Sequence, residues 1–258
     1  MNFCINYGCG ADSLERADQI RIEPKYFNLI NTIADKYPNK TLVVVEPPED
    51  RWDDIKTYAL GLRDQFVLEI RHIEYAYACE RLGIPYYYAF GATSFTEINW
   101  LIAHKATYIV VAPPMFFQLD KIKNKNIKVR VAPNYTHDGE VFSASLAHTS
   151  WILPAELHYY EDYIDTIFFV NCRSASAEET FFDIYTRNDK WLAPLNALFQ
   201  GFPEDTFEAG FVEPMAPRRI SCGQVCETDG RCHFCDTALK VANSSVMMAY
   251  HQAAIDQT

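Results

Sequence analysis

The sequence predicts an α/β fold of the TIM type, a (β/α)8-like barrel followed by a C-terminal cysteine-rich metal-binding segment. Three observations carry that expectation. From about residue 17, short β-rich runs alternate with amphipathic, helix-like stretches, and such alternation builds a parallel sheet. Several runs, such as Leu42-Val43-Val44-Val45 and Tyr108-Ile109-Val110-Val111, are continuously apolar, as strands covered on both faces are. About eight strand–helix units fit the 258 residues, close to the roughly 250 that a closed barrel uses. An open doubly wound sheet is the rival architecture, but no Gly-x-Gly-x-x-Gly follows any strand.

Taken in order, the strand candidates are Asp18–Ile22, Thr41–Glu46, Phe66–Arg71, Tyr86–Phe90, Tyr108–Ala112, Lys128–Ala132, Trp151–Leu153 and Thr166–Val170. Residues 1–16 are expected to form an extra strand or lid, with Phe3-Cys4-Ile5 pairing near the barrel's end. Pro24 suits the first turn of a helix through Ala34, where its missing N–H costs nothing. Asp50 is placed to cap a helix from Trp52 to Leu62. His72–Leu82 stops at Gly83, a residue suited to the left-handed position after a helix. Ser94, with Glu97 three residues on, predicts a capping box for Phe95–His104. After residue 171 the rhythm breaks. A helical stretch near Ala177–Thr186, an aromatic-rich loop and a closing helix from Thr237 to Ile255 follow. The expected division is a barrel over 1–175 and an extension over 176–258, both in one domain.

The composition bounds the function. Hydrophobic residues make up 49% of the chain and charged residues 22%, enough for a sizeable core. No run approaches the ~20 apolar residues of a membrane span, so no membrane partner is expected. A net charge of −11 excludes a general nucleic-acid coat and restricts any RNA contact to a local patch. The first ten residues carry no basic or long apolar leader. The expected location is cytoplasmic, with reduced thiols.

Four of the eight cysteines crowd one loop, as Cys222-x3-Cys226-x5-Cys232-x2-Cys235. Four thiolates so close repel one another, and a bound metal removes that repulsion. Gly223 and Gly230 allow tight turns there, and Arg218, Arg219 and Arg231 offset the charge of a tetrathiolate centre. Structural zinc usually takes two short cysteine pairs with a longer connection, and here only five residues intervene. An iron–sulfur cluster tolerates more varied spacing. The residues favour iron–sulfur slightly and leave zinc open. Of the scattered cysteines, Cys79 is expected in the core, Cys4 and Cys9 near the N-terminus, and Cys172 at a strand end.

Tyr108–Pro113, Ile127–Ala132 and Trp151-Ile152-Leu153-Pro154-Ala155-Glu156-Leu157 together resemble the peptidase U32 family in order and in the Glu-Leu motif after a barrel strand. The resemblance implies a TIM-type barrel with a [4Fe-4S] cluster on Cys222, Cys226, Cys232 and Cys235. It also implies oxidative chemistry, the hydroxylation of an RNA base or a quinone-type ring. The chain departs from the family pattern in two places. Val170-Asn171-Cys172-Arg173-Ser174 replaces the family's His-Gly-x-x-Cys, and the four cysteines are packed more closely. Nothing in the chain resembles a proteolytic nucleophile and base.

Barrel chemistry sits at the C-terminal ends of the strands. Glu46, Glu69, Arg71, Thr93, Asn134, Glu156, Asn171 and Arg173 fall there. The catalytic candidates are Glu46, Glu69, Arg71 and Glu156. Glu69 and Arg71 share a strand face and predict an ion pair, read as a barrel salt bridge or as a substrate contact. Glu156 fits the Glu-Leu motif or caps the helix that follows. His137 with Asp138 reads as an acid–base pair or as an ordinary turn, and Tyr86-Tyr87-Tyr88 as a stacking platform or as core. The expected function is therefore an iron–sulfur enzyme modifying an RNA base or a small planar ring. The alternative is a non-catalytic barrel with a structural cluster, acting as a binding or assembly module for a partner protein.

Overall fold

The computed structural model describes residues 1–62, 64–112, 115, 118–133, 152, 157–170, 172 and 174–187. Eight strands, all parallel, run as β1 (Asn2–Asn6), β2 (Gln19–Ile22), β3 (Thr41–Val45), β4 (Phe66–Ile70), β5 (Tyr86–Tyr88), β6 (Tyr108–Val110), β7 (Lys128–Val131) and β8 (Thr166–Phe168). Their order is β5-β4-β3-β2-β1-β8-β7-β6. The two outer strands meet through Thr107 N–H to Tyr86 O (2.7 Å), Ala92 N–H to Val110 O (2.8 Å) and a parallel bridge between Ala92 and Val111. The sheet therefore closes on itself as a TIM-like α/β barrel.

Alternation along each strand builds two cores. Ile5, Ile20, Leu42, Val44, Leu68, Ile109, Val129 and Ile167 face outward into the layer beneath the helices. Cys4, Val43, Val67, Tyr87, Tyr108 and Val110 face the barrel interior. The interior also holds Gln19, Glu69, Arg130 and Thr166, all buried. Branched aliphatic residues usually dominate such an interior, so the polar set is unusual.

The helices are α1 (Ala11–Arg16), α2 (Ile30–Lys36), α3 (Trp52–Gly61), α4 (Tyr75–Leu82), α5 (Phe95–Ala103), α6 (Leu119–Lys123), α7 (Leu157–Tyr160) and α8 (Ala175–Arg187). Gly83 ends α4 at φ +66°, and Ile84 N–H returns to Cys79 O at 2.9 Å. Ser94 Oγ caps α5 by accepting from Glu97 N–H at 3.3 Å. The expected box is shifted, because the Glu97 carboxylate accepts from Thr93 N–H (2.6 Å) rather than from Ser94. Asp50 does not cap α3. It lies in a 3-10 turn, Glu49–Arg51, and Arg51 ties the helix start through Asp54 at 2.6 Å.

Of the two readings of residues 1–16, the strand is the one observed. The segment 1–16 is no lid, since β1 sits mid-sheet between β2 and β8. Its inward side is Asn2, Cys4 and Asn6, so its sequence lacks the long apolar run that marks β3 and β6. Ile152 is buried outside any strand, with its N–H on Pro133 O at 3.1 Å, and the other residues of Trp151–Leu153 lie outside those described. The expected division at residue 175 falls at the start of α8, which packs on β1 through Phe182 and Phe3 (ring centroids 5.9 Å apart). Among the described residues no helix is long and apolar enough to cross a membrane.

Gly91 has a tight position. A Cβ there would stand 2.8 Å from Ala112 N and 2.9 Å from its Cα, where the chain closes the ring. Gly91→Ala is expected to destabilise the protein by about 1–3 kcal/mol, read from urea unfolding, as forced overpacking against backbone does.

Candidate active site at the barrel mouth

At the C-terminal ends of the strands lies an open cavity of about 540 Å³. One wall is an ion pair whose hydrogen bonds link four strands, β1, β2, β4 and β5. Arg21 on β2 grips Glu69 on β4 through two parallel bonds, Nε–Oε2 at 2.8 Å and Nη2–Oε1 at 2.6 Å. Tyr87 on β5 donates its hydroxyl to Glu69 Oε2 at 2.6 Å. Arg21 Nη1 also donates to Asn6 Oδ1 at 3.0 Å. Burial by itself would raise the Glu69 pKa, but the Arg21 and Tyr87 bonds outweigh it and hold the carboxyl below its ordinary range. The Tyr87 hydroxyl is pushed well above its usual value, chiefly by burial.

Next to this wall, bridged to Arg21 by Asn6, stands Glu178, on the first turn of α8. Its carboxylate oxygens accept from Asn6 N–H at 2.8 Å and Asn6 Nδ2 at 2.5 Å. Burial raises its pKa more than those bonds and Arg21 lower it. Two carboxyls on one cavity are thus driven in opposite directions, Glu69 toward the charged form and Glu178 toward the neutral one. Environments that separate two carboxyls in this way are how a site provides an acid beside a fixed charge. The Cys9 thiol next to Glu178 is also raised, first by burial and then by that carboxylate. Cys172 lines the cavity edge.

Beneath the mouth, Arg130 on β7 is fully buried. It donates Nη1–H to Gln19 Oε1 at 2.6 Å, and its guanidinium lies 4.5 Å from the Tyr87 ring centre, 5.3 Å from Tyr108 and 5.5 Å from Phe168. Among the described residues, its Nε and Nη2 have no nitrogen or oxygen partner, and the guanidinium meets the Cys4 thiol. The Cys4 thiol above it is raised by burial, with Arg130 opposing.

The sequence candidates separate against this geometry. Glu69 and Arg71 both line the cavity. They form only a long 3.9 Å contact, because Glu69 is already engaged by Arg21. Glu46 is buried and faces the β4–α4 loop, where Oε2 accepts from Arg71 N–H (2.6 Å) and His72 N–H (3.0 Å) and Oε1 meets His72 Nδ1. It shapes the loop that carries Arg71 and does not line the cavity. Thr93 is held by Glu97. Glu156, Asn134, Asn171, Arg173, His137 and Asp138 lie outside the described residues, as do Cys222, Cys226, Cys232 and Cys235. Among the described residues no group of three or more His, Cys, Asp or Glu side chains is placed to hold a metal ion.

Sequence reasoning missed Asn6, Arg21, Arg130 and Glu178. For Arg21 and Arg130 a signal exists. Gln19-Ile20-Arg21-Ile22 and Lys128-Val129-Arg130-Val131 alternate with period two, which puts polar residues on one face of a strand.

No protein-family model and no curated protein matches the chain. Among solved structures, a designed cube-shaped, highly porous protein cage built by fusing symmetric oligomeric domains aligns at TM-score 0.41 and 14% identity, over 72% of this chain and 70% of that one. Tryptophan synthase subunit alpha from Legionella pneumophila str. Paris aligns at TM-score 0.39 and 11% identity, over 76% and 86%. The barrel assignment rests on the strand order and closure described above.

Proposed function

We propose that the protein is an enzyme that oxidatively modifies a small planar ring held at the barrel mouth. On this reading Cys222, Cys226, Cys232 and Cys235 bind a metal centre, a [4Fe-4S] cluster in preference to zinc. The observation that carries the reading is the convergence of Glu178, the Arg21–Glu69 pair and the half-exposed Arg71 on one open cavity. Hydroxylation replaces a ring C–H by C–OH. The oxygen atom and the two-electron oxidising equivalent arrive together in an oxygen-donor co-substrate, ArH + XO → ArOH + X. The metal centre, when bound, supplies one-electron redox capacity or holds the C-terminal segment in place.

Glu178 lends its proton to the incoming oxygen and takes one from the ring carbon as aromaticity returns. The protonated acid keeps both Asn6 bonds, since its carbonyl and hydroxyl oxygens each accept one, and its own O–H is left for the substrate. Arg21 and Glu69 hold Asn6 and Tyr87 in position, and Arg71 meets an anionic group. The net charge of −11 favours a small ring over an RNA base.

Anaerobically purified protein is expected to be coloured, with iron and acid-labile sulfide in matching amounts, and Cys226→Ser to lose both. Colourless protein with one zinc would overturn the iron–sulfur assignment, and metal-free protein would overturn the centre itself. For the reaction, aromatic acids incubated with protein and candidate oxygen donors are assayed for the mass gain of one oxygen. Glu178→Ala should lower that product about 10²-fold or more, the scale of general acid–base catalysis. A variant as active as the parent would remove Glu178 from the mechanism.

A second reading has one observation in its favour. The Glu69 carboxylate is fully used by Arg21 and Tyr87, as in a purely structural pair. A binding or assembly module would give no oxygenated product with any donor, while keeping its metal.

A further inference from the structure

The mouth cavity does not end at its polar wall. Phe90, just after β5, lines it and also lines a second cavity of about 490 Å³ against α5. That groove is walled by Ile73, Tyr88, Trp100 and Leu101. The carboxylate at its edge, Glu97, is already taken by the Thr93 N–H and hydroxyl, at 2.6 and 3.0 Å. An occupant therefore meets apolar surface and almost no hydrogen-bond partner. Phe90 is 58% exposed and Ile73 38%, large apolar groups left to water at the junction of the two cavities.

Across Phe90 from the groove stands Arg71, its side chain 51% exposed. Among the described residues its guanidinium makes no hydrogen bond, and the carboxylate it pairs with, Glu69 at 3.9 Å, is already gripped by Arg21. A half-exposed, weakly paired cation, an exposed aromatic face and an apolar groove thus follow one another along the β4–α4 and β5–α5 loops.

We propose that the ligand of the mouth is an amphiphilic aromatic acid, with its anionic group on Arg71, its ring over Phe90 and an apolar arm in the groove beside Trp100. This rests on the mouth being the substrate site and specifies what the site selects. Each cavity falls within the ~300–1,000 Å³ of ordinary ligand pockets, so the pair suits a molecule longer than one ring. An RNA base fits poorly, because its polar sugar and phosphate would have to cross the groove. An apolar side chain from a protein partner would fill the groove and leave Arg71 unengaged.

The test is calorimetric titration of the full-length chain with benzoate, 4-butylbenzoate and 4-hexylbenzoate. Affinity is expected to rise about fourfold per added CH₂ until the groove is filled, the value of burying a methylene. Arg71→Gln should weaken all three by about tenfold or more and leave that dependence intact, as loss of a charge-assisted bond does. Trp100→Ala should flatten the chain-length dependence and spare benzoate. Thr96→Asp, an exposed change on the groove wall, should do the same without touching the core.

Arg71-dependent binding with no chain-length dependence would overturn the amphiphile while leaving the mouth as a binding site. Chain-length dependence that ignores Arg71→Gln would mean the groove takes apolar matter on its own, as a protein-docking groove would, and also overturns the inference. If no probe binds, the mouth reading and the inference both fall. A single-stranded RNA that displaces 4-hexylbenzoate and binds more tightly would replace the aromatic acid with a nucleic-acid ligand.

Discussion

Replacing Arg21 with methionine is expected to lower the unfolding free energy by about 3–5 kcal/mol in urea titrations at neutral pH, the cost of breaking a buried ion pair from one side. The mechanism is specific. Glu69 is nearly closed to solvent, and Arg21 supplies two of its three hydrogen bonds, so removing Arg21 leaves a buried carboxylate with Tyr87 alone. The double variant Arg21→Met with Glu69→Leu should recover most of the loss, because an apolar pair of similar volume carries no desolvation cost. A single-variant loss under about 1 kcal/mol would mean the pair behaves like a solvent-screened surface bridge, and the argument would fail.

The same pair sets a pH dependence with a definite sign. Glu69 has a folded pKa below its unfolded one, so its contribution is complete above the unfolded value, about 4.3, and is lost as pH falls through the lower folded value. Glu178 has the opposite sign. Its folded pKa is raised, so it favours the folded state below about 4.3 and that contribution disappears as pH rises through the folded value. Arg21→Met should therefore flatten the acid limb of the stability profile, and Glu178→Ala the limb above it.

What was legible in the sequence follows from which face of each strand carries the signal. In β3 and β6 both faces are apolar, so Leu42–Val45 and Tyr108–Val111 announce themselves and the barrel class is readable. The inner faces of β1, β2 and β7 carry Asn6, Arg21 and Arg130, which in isolation look like strand interruptions or lid residues. For that reason β1 reads from its sequence as an extra strand or a lid, and its place between β2 and β8 emerges only from the sheet order. Glu69 and Arg71 meet in the expected ion pair, though only at 3.9 Å, because a closer partner, Arg21, lies 48 residues away on β2 and only sheet order brings it there. Glu46 has the composition of a site residue and the geometry of a loop anchor, a distinction set by the bonds from Arg71 and His72. Glu178 is helix-borne, four residues past the Ser174 carbonyl that accepts its N–H, and nothing in its local sequence tells it from a solvated first-turn acid.

Arg130 gives the second large effect, and its two substitutions should diverge. Arg130→Ala is expected to cost about 2–5 kcal/mol, as truncating a large core side chain does, because the space between Tyr87, Tyr108 and Phe168 would be left unfilled. Arg130→Met fills most of that volume and should come close to the parent. It forfeits the bond to Gln19 and roughly 2 kcal/mol of desolvated cation–π contact. It also removes two buried nitrogens, Nε and Nη2, that have no nitrogen or oxygen partner among the described residues, each costing about 1–3 kcal/mol. Urea unfolding of both variants measures the difference, and equal losses would show that charge, not volume, is what the interior requires. A barrel that needed only stability would hold an aliphatic residue here. The guanidinium instead sits under Cys4, Tyr87 and Phe168, which floor the mouth, and adds a fixed positive charge below the place where an anionic ligand would lie. Arg130→Met should accordingly leave the fold near parental stability while weakening 4-hexylbenzoate, and unchanged affinity would confine Arg130 to packing.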